Sequence, residues 1–538
     1  MARAEPVNTT RALAMIGSVL LLQAWLLYTG FHYGALSGLI PGDDSVTLQR
    51  GLHNLRFLSR DQSLWRLVGF LGTIHSPISD IQTLVGLALT GGAFWGPYAL
   101  NGAAVLFAAY AVLFRAGRPA ACLFAALLLF ILVQPVTLDA LLYLKADWKG
   151  GLLIAAAVYL LYAAVEQDRR DLKLWGAGLL GLGIAAKLTA FYMPVLAIGL
   201  LMGFEGLALV ARPPAPGTWG SRLQAARQDL GPAAALVTGP YVFFFAFSAL
   251  GYHHLLAYIR YAISETWTDG LTPVQRALFY SPFAPGGGAW SYLHGFALLF
   301  VPAALIVSLR AGRRLYAAAL LLLALFALLL FAPLVLARTS NWDFAASLLG
   351  VFAGLTLISI RVFADALPRY GARAALAVVV PLALFAPLEG PFLMPDVGRA
   401  TPAELQRLEA VYRGVADDLV VRAGGGTLKL RQFYEDSFAP SPDLSLLYFQ
   451  RTGELMDIER IDSIGDPAAL EPDLSTSDFL LTVVPGAGLR RMHGFPARFP
   501  TSADPARADA LAAARADFQL VRRFARPEGE LRLYRRRS

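Results

Sequence analysis

The sequence predicts an α-helical polytopic membrane protein with a small α/β domain at its C-terminal end. Three observations carry that prediction. The chain of 538 residues is 56% hydrophobic and only 16% charged, where soluble domains carry about 25% charged residues. Continuous Leu- and Ala-rich runs recur at 12–30, 120–133, 150–165, 297–309, 315–336 and 374–388, several of them close to the ~20 residues that cross a bilayer. After about residue 390 the composition changes: that last stretch holds about half of the 38 acidic residues and no spanning run. The runs are continuous rather than alternating, which argues against a membrane β-barrel.

The first run follows Arg3 and Arg11 and ends in Tyr28, Phe31, His32 and Tyr33. It lacks a small-residue cleavage site, so it reads as a retained helix with an aromatic belt rather than a signal peptide. Next comes "PGDDSV", with adjacent acids Asp43 and Asp44. In "VTLQRGLHNLRFLSRDQSLWRLVGF", Arg50, Arg56, Arg60 and Arg66 interleave with apolar residues, the pattern of one or two amphipathic helices lying in the interface. "HSPISDIQTLVGLALTGG" follows as another candidate, so the outer loop covers about 41–92.

The later runs alternate with basic clusters at Arg115/Arg118, Arg169/Arg170/Lys173, Arg212/Arg222/Arg227, Arg310/Arg313/Arg314 and Arg361/Arg369/Arg373. Simple alternation puts all of them on one side, the positive-inside pattern, with about eleven spans. The stretch 174–210 needs two closely coupled helices with a turn near Lys187 and Pro194. The predicted division is a membrane domain at 1–390 and an extracytoplasmic α/β domain at 391–538. In the latter, 401–419 reads as a helix with Thr401 as cap. "SDFLLTVVPG" reads as a buried strand, and "FQLVRRFARPEGELRLYRR" as two strands joined at Pro-Glu-Gly.

Several function classes drop out. One cysteine, Cys122, allows no intrachain disulfide, and no zinc-ligand spacing exists. The net charge of +8 lies mostly between spans, so it orients the chain and does not indicate nucleic-acid binding. Asp43, Asp44, Asp80, Asp139, Lys145, Asp147 and Lys187 fall at or near the outer ends of spans rather than in a string at mid-depth. Intramembrane charge strings and repeated halves mark many transporters; this pattern places polar chemistry at one surface. A group donor used there must be carried by the membrane, and a lipid phosphate fits, its head held by Arg or Lys.

These residues, in this order, resemble the GT-C membrane glycosyltransferases that use polyprenyl-phosphate sugars, such as the bacterial lipid A aminoarabinose transferases and protein O-mannosyltransferases. The resemblance rests on "PGDDSV", the turn "HSPISD" at 75–80, "YLKADWKGGLL" with Lys145 and Asp147, and "GLGIAAKLTAFYMPVL" with Lys187, over roughly 12–210. One Pro of the family turn is Ser76 here. The resemblance implies a glycosyltransferase of a bacterial cytoplasmic membrane. It would move a sugar from a polyprenyl-phosphate donor to a hydroxyl of a cell-envelope glycan, lipid or protein.

Glycosyl transfer needs a base for the acceptor hydroxyl and cations for the leaving phosphate. Asp44 and Asp43 are the candidate bases; as a bland alternative, Asp43 caps the next helix. Asp147 is a second acid, for positioning, shared base duty or a metal, and as a helix N-terminal acid it also suits the dipole. Asp44 and Asp147 together are the candidate ligands of a divalent cation such as Mg, Mn or Ca. Lys187, Arg338 in "ARTSNWDF", Lys145, Arg56, Arg60 and His75 are the candidate phosphate ligands, each also readable as a snorkelling or structural interface residue. The competing function is a transporter or flippase of a lipid-linked or polar solute.

Overall fold

The computed structural model describes residues 9–32, 36, 42–61, 77–112, 144, 146–186, 192–212, 218–247, 271–279, 301–336, 346–366, 402–424, 428–433, 441–454, 456–461, 476–485, 516–526 and 529–537. The described part is mostly helical. In order come α1 (Thr9–His32), α2 (Gly42–Asp61), α3 (Pro77–Leu89), the short α4 (Trp95–Ala99) and α5 (Asn101–Tyr110). Then follow α6 (Ala146–Gln167), α7 (Arg170–Ala185), α8 (Met193–Ala211), α9 (Trp219–Phe247), α10 (Pro273–Phe279) and α11 (Val301–Arg310). α12 (Arg314–Leu336) and α13 (Ala346–Ala366) complete the bundle. The expected runs at 120–133 and 374–388 lie outside the described residues.

Among the described residues, α6 from Lys149, α8 and α12 are long and apolar enough to cross a membrane, and shorter apolar helices lie at Ile16–Tyr28, Ile78–Leu89, Val301–Arg310 and Ser347–Phe363. Their burial sorts them. The apolar window of α6 is 89% buried inside the bundle, against 33% for α8 and 39% for α12. α6 is therefore the axis, and α12 presents Leu321, Leu325, Leu328 and Leu336 outward, as a lipid-facing helix does. Small residues let helices approach α6. A Cβ on Gly150 would stand 2.6 Å from the Gly183 carbonyl of α7, and one on Gly350 of α13 would collide with the Gly151 carbonyl. Close backbone approach through glycine is the usual packing device in lipid, where water does not drive helices together. Pro232 and Pro240 lie inside α9 and Pro333 inside α12, as membrane helices tolerate.

The sequence assigned the basic clusters to one side, and several of them meet at one end of the bundle. Arg361 of α13 reaches Asp365 at 3.2 Å and Glu166 of α6 at 3.8 Å. Arg313 lies 3.5 Å from Asp365, and Arg212 lies 2.7 Å from Asp168. The Tyr316 hydroxyl stands 2.6 Å from both Glu166 Oε1 and Asp365 Oδ2. Lys173 of α7 pairs with Glu205 of α8 at 2.5 Å and with Asp229 of α9 at 3.7 Å. The expected coupled pair at 174–210 is α7 and α8; of the turn expected near Lys187 and Pro194, Pro194 lies in the first turn of α8 and Lys187 lies outside the described residues.

The C-terminal part forms a mixed five-stranded sheet in the order β2-β1-β3-β5-β4. Its elements are α14 (Pro402–Ala423), β1 (Lys429–Phe433), α15 (Ser441–Thr452), β2 (Asp457–Ile461), β3 (Phe479–Pro485), β4 (Phe518–Arg526) and β5 (Gly529–Arg536). β1 runs parallel to β2 and β3, while β5 is antiparallel to β3 and β4. The buried strand and the Pro-Glu-Gly hairpin read from the sequence are β3 and β4–β5, and the helix read at 401–419 is α14. Tyr412, Val415 and Leu419 of α14 pack on Leu430, Leu481 and Leu533 to make a separate core. On the polar side of α14, Asp418 accepts from Arg422 and Arg522 at 2.6 and 2.8 Å. Burial alone would raise this carboxyl, but the two guanidiniums outweigh it and hold it below its ordinary value of 3.8.

Candidate active site

Two acids open α2, which begins at Gly42. Asp43 and Asp44 therefore sit inside the first turn, where carboxylates meet the positive end of the helix dipole. The Asp43 side chain is outside the described set. Asp44 is 1% exposed. A buried carboxylate is stable only when donors surround it, and Asp44 has them. The Tyr98 hydroxyl donates to Oδ2 at 3.0 Å. The Leu144 amide donates to both oxygens at 3.0 Å.

These contacts belong to a closed ring. The Leu144 carbonyl accepts from the Ser79 hydroxyl at 2.6 Å and from Lys149 Nζ at 3.3 Å. Lys149 Nζ also donates to Gln82 Oε1 at 2.6 Å. Gln82 Nε2 in turn donates to the Pro97 carbonyl at 2.8 Å and to Asn101 Oδ1 at 2.5 Å. Pro97 adjoins Tyr98, whose own carbonyl accepts from Gln23 of α1 at 2.9 Å. The circuit runs Asp44, Leu144, Lys149, Gln82, Pro97, Tyr98 and back to Asp44. It fixes α2, α3, α4 and α6 around one carboxylate. Lys149 is 3% exposed. Asp147 is half-buried in the first turn of α6. Beside the ring, Arg50 Nε stands 3.4 Å from the buried Asp80. Gly51 leaves room for Thr83, which a Cβ there would strike.

The C-terminal part reaches this ring. Leu446 of α15 is buried with Leu48, Leu52, Tyr98 and Leu144, and Phe449 packs against the same cluster. Arg56 of α2 donates to Glu454 at 3.1 Å. Arg56, expected as a phosphate ligand, is thus engaged with the segment that follows α15. Arg60 lies on α2 with its side chain outside the described set. His75, Lys145, Lys187 and Arg338 lie outside the described residues altogether. Of the expected acids, Asp44 belongs to the ring, and Asp147 lies in the first turn of α6, two residues before Lys149. Among the described residues no three His, Cys, Asp or Glu side chains gather as a metal site.

Sequence reasoning missed Lys149, Gln82, Tyr98 and Ser79. Lys149 had a signal: it is a charge two residues inside the apolar helix that starts near Asp147, where ionisable groups are costly. Gln82 and Asn101 are the same kind of signal, amides on apolar helices that need partners. Tyr98 and the Leu144 amide had none, because their roles depend on which loops meet.

The described residues form a bundle of apolar helices followed by a small mixed sheet. Two solved structures share that fold. ArnT from Cupriavidus metallidurans bound to undecaprenyl phosphate superposes with a TM-score of 0.54 at 15% identity, over 98% of this chain and 98% of that one. The apo state of the same protein gives 0.54 at 15% identity, over 97% and 98%. No family model and no curated protein matches the sequence, so the likeness is one of fold.

Proposed function

We propose that the chain is a membrane glycosyltransferase. It moves a sugar from a polyprenyl-phosphate donor to a hydroxyl of a cell-envelope acceptor at the outer face of a bacterial cytoplasmic membrane. The observation that carries the reading is Asp44, a carboxylate held by Tyr98 and the Leu144 amide at the end of the bundle away from the Arg361–Glu166 cluster. In the step proposed, the acceptor oxygen bonds to the anomeric carbon and the bond from that carbon to the phosphate oxygen breaks. The hydroxyl proton passes to Asp44 and the polyprenyl phosphate leaves as an anion. Proton removal by a placed base is worth about 10²–10⁴-fold.

The fold supports the donor class, because the ArnT structure that shares it is a complex with undecaprenyl phosphate. Lys187, Arg338, Lys145, Arg60 and His75 are proposed to face the phosphate, where Arg and Lys act as fork and point charge. Asp43 is the alternative base, Asp147 orients the acceptor, and 391–538 is an extracytoplasmic domain. The test is a transfer assay in nanodiscs with a panel of radiolabelled polyprenyl-phosphate sugars and a membrane-extract acceptor pool. Transfer by the parent that collapses in Asp44→Asn supports the reading. No consumption of any donor by folded protein that binds polyprenyl phosphate overturns it and favours transport.

A further inference from the structure

α15 carries apolar side chains on two faces. Leu444 and Tyr448 are fully buried in the core that α14 makes with Leu430 and Leu481. Leu446 and Phe449 lie about 200° and about 140° around the helix from Leu444. A helix that covers a sheet needs one apolar face. The structure shows what covers the second. Leu446 is 3% exposed and shares one apolar cluster with Leu48 and Leu52 of α2, Tyr98 of α4 and Leu144, and Phe449 packs against that cluster.

Two members of the cluster are the donors to Asp44: the Tyr98 hydroxyl and the Leu144 amide, each at 3.0 Å. The end of α15 is tied at the same place. Gly453, at φ +70°, closes the helix by donating its amide to the Phe449 carbonyl at 2.7 Å, a left-handed cap that glycine adopts without strain. Thr452 Oγ1 accepts from the Glu454 amide at 3.0 Å, and Glu454 accepts from Arg56 of α2 at 3.1 Å.

We infer that Leu446 and Phe449 are positioning residues for the transfer. The second face of α15 supports the cluster that holds Tyr98 and Leu144, so that their O–H and N–H meet Asp44. Neither residue touches the reacting atoms; both act through the two donors. The C-terminal part is thereby a wall of the site, which the membrane bundle leaves incomplete. The inference rests on the proposed function for its kinetic readout, and its geometry stands without it.

The experiment compares the parent with Leu446→Ala, Leu446→Met and Leu444→Ala, as full chains in nanodiscs, at a temperature well below the melting of all four. Leu444→Ala is the control: the same helix and the same truncation on the other face. The readouts are kcat, donor KM and hydrogen exchange of the segment containing Leu144. A truncated buried leucine leaves a cavity into which its neighbours partly relax, and misplacing a catalytic group by about 1 Å costs about 10²-fold. Leu446→Ala is therefore expected to lose about 10- to 100-fold in kcat, with donor KM within about threefold. Leu446→Met conserves volume and is expected to stay within about threefold of the parent. Leu444→Ala is expected to lower the melting temperature yet keep kcat within about threefold. Exchange of the Leu144 segment is expected to rise in Leu446→Ala and not in Leu444→Ala.

A Leu446→Ala kcat within about threefold of the parent overturns the inference. So does an equal loss in Leu444→Ala, which would trace the effect to a weakened C-terminal part, and so does a Leu446→Met rate as low as that of Leu446→Ala. If Leu446→Ala does not fold, Phe449→Ala, which truncates the same face at a half-buried position, takes its place in each comparison. If the parent transfers nothing, the proposed function fails and the exchange readout decides. Faster exchange of the Leu144 segment in Leu446→Ala alone supports the inference, and unchanged exchange, or an equal rise in both alanine variants, overturns it.

Discussion

Replacing Asp44 with asparagine separates the proposed catalytic role of this carboxylate from its structural one. Asn has nearly the same shape and keeps one carbonyl oxygen for the Leu144 amide. Its amide nitrogen faces the Tyr98 oxygen, which can turn from donor to acceptor. The three contacts at 3.0 Å thus change from charge-assisted to neutral. Hydrogen bonds to charged groups contribute about 1.5–3 kcal/mol and neutral ones about 0.5–1.5, so with two donors affected the structural loss is about 2–3 kcal/mol. Loss of a general base costs about 10²–10⁴-fold, which is about 3–5 kcal/mol in the barrier. The rate effect should match or exceed the stability effect. The assay pairs initial transfer rates with thermal unfolding of the same nanodisc sample. Asp44→Asn that unfolds normally and transfers within threefold of the parent refutes the base assignment. Tyr98→Phe is the companion variant. It keeps the carboxylate and removes one donor, so it should lose less rate than Asp44→Asn.

Other outcomes follow from the contacts. Leu446→Ala, which empties a buried position beneath Tyr98 and Leu144, should cost about 2–5 kcal/mol, read as a lower melting temperature. Glu454→Ala, which breaks a half-exposed pair with Arg56, should cost at most about 1 kcal/mol and change the melting temperature little. Gly350→Ala should lower the yield of monodisperse protein in detergent, since its Cβ meets the Gly151 carbonyl of the central helix; normal yield and melting would contradict that packing. Tyr316→Phe leaves Glu166 and Asp365 without a shared hydroxyl and should destabilise by about 1–3 kcal/mol, read as a lower melting temperature. Asp418 is held below 3.8 when folded. Its stabilisation is therefore fully present above that pH and lost as pH falls through the lower folded value. Hydrogen exchange across α14 should speed up at acid pH in the parent, and Asp418→Asn should flatten that dependence.

The sequence by itself determined the helical membrane class, the change of composition near residue 390 and much of the local structure. Long apolar runs cannot leave backbone groups unpaired in lipid, so they fold as helices wherever they pack. Alternation and turn chemistry likewise placed β3 and the β4–β5 hairpin, because those signals are local. The basic clusters at 169–173, 212, 313 and 361 were legible as one-sided, and their convergence with Glu166, Asp168 and Asp365 follows from helix direction alone. The sequence also marked Asp44, since adjacent acids at the mouth of an apolar run are costly and conspicuous.

The tertiary structure alone decided what surrounds Asp44. Tyr98, the Leu144 amide and Lys149 lie 54, 100 and about 105 positions away along the chain. Nothing in the spacing of one segment says which loops will share a buried carboxylate. It also decided that Arg56, one of several interface arginines in the pattern, meets Glu454 of a distant segment. A charge on an amphipathic helix has many affordable partners at a membrane surface, and only the packing of α15 on α2 selects one. The ring around Asp44 exists for the same reason: a buried charge must be satisfied, and the donors come from whichever elements the fold brings within 3 Å.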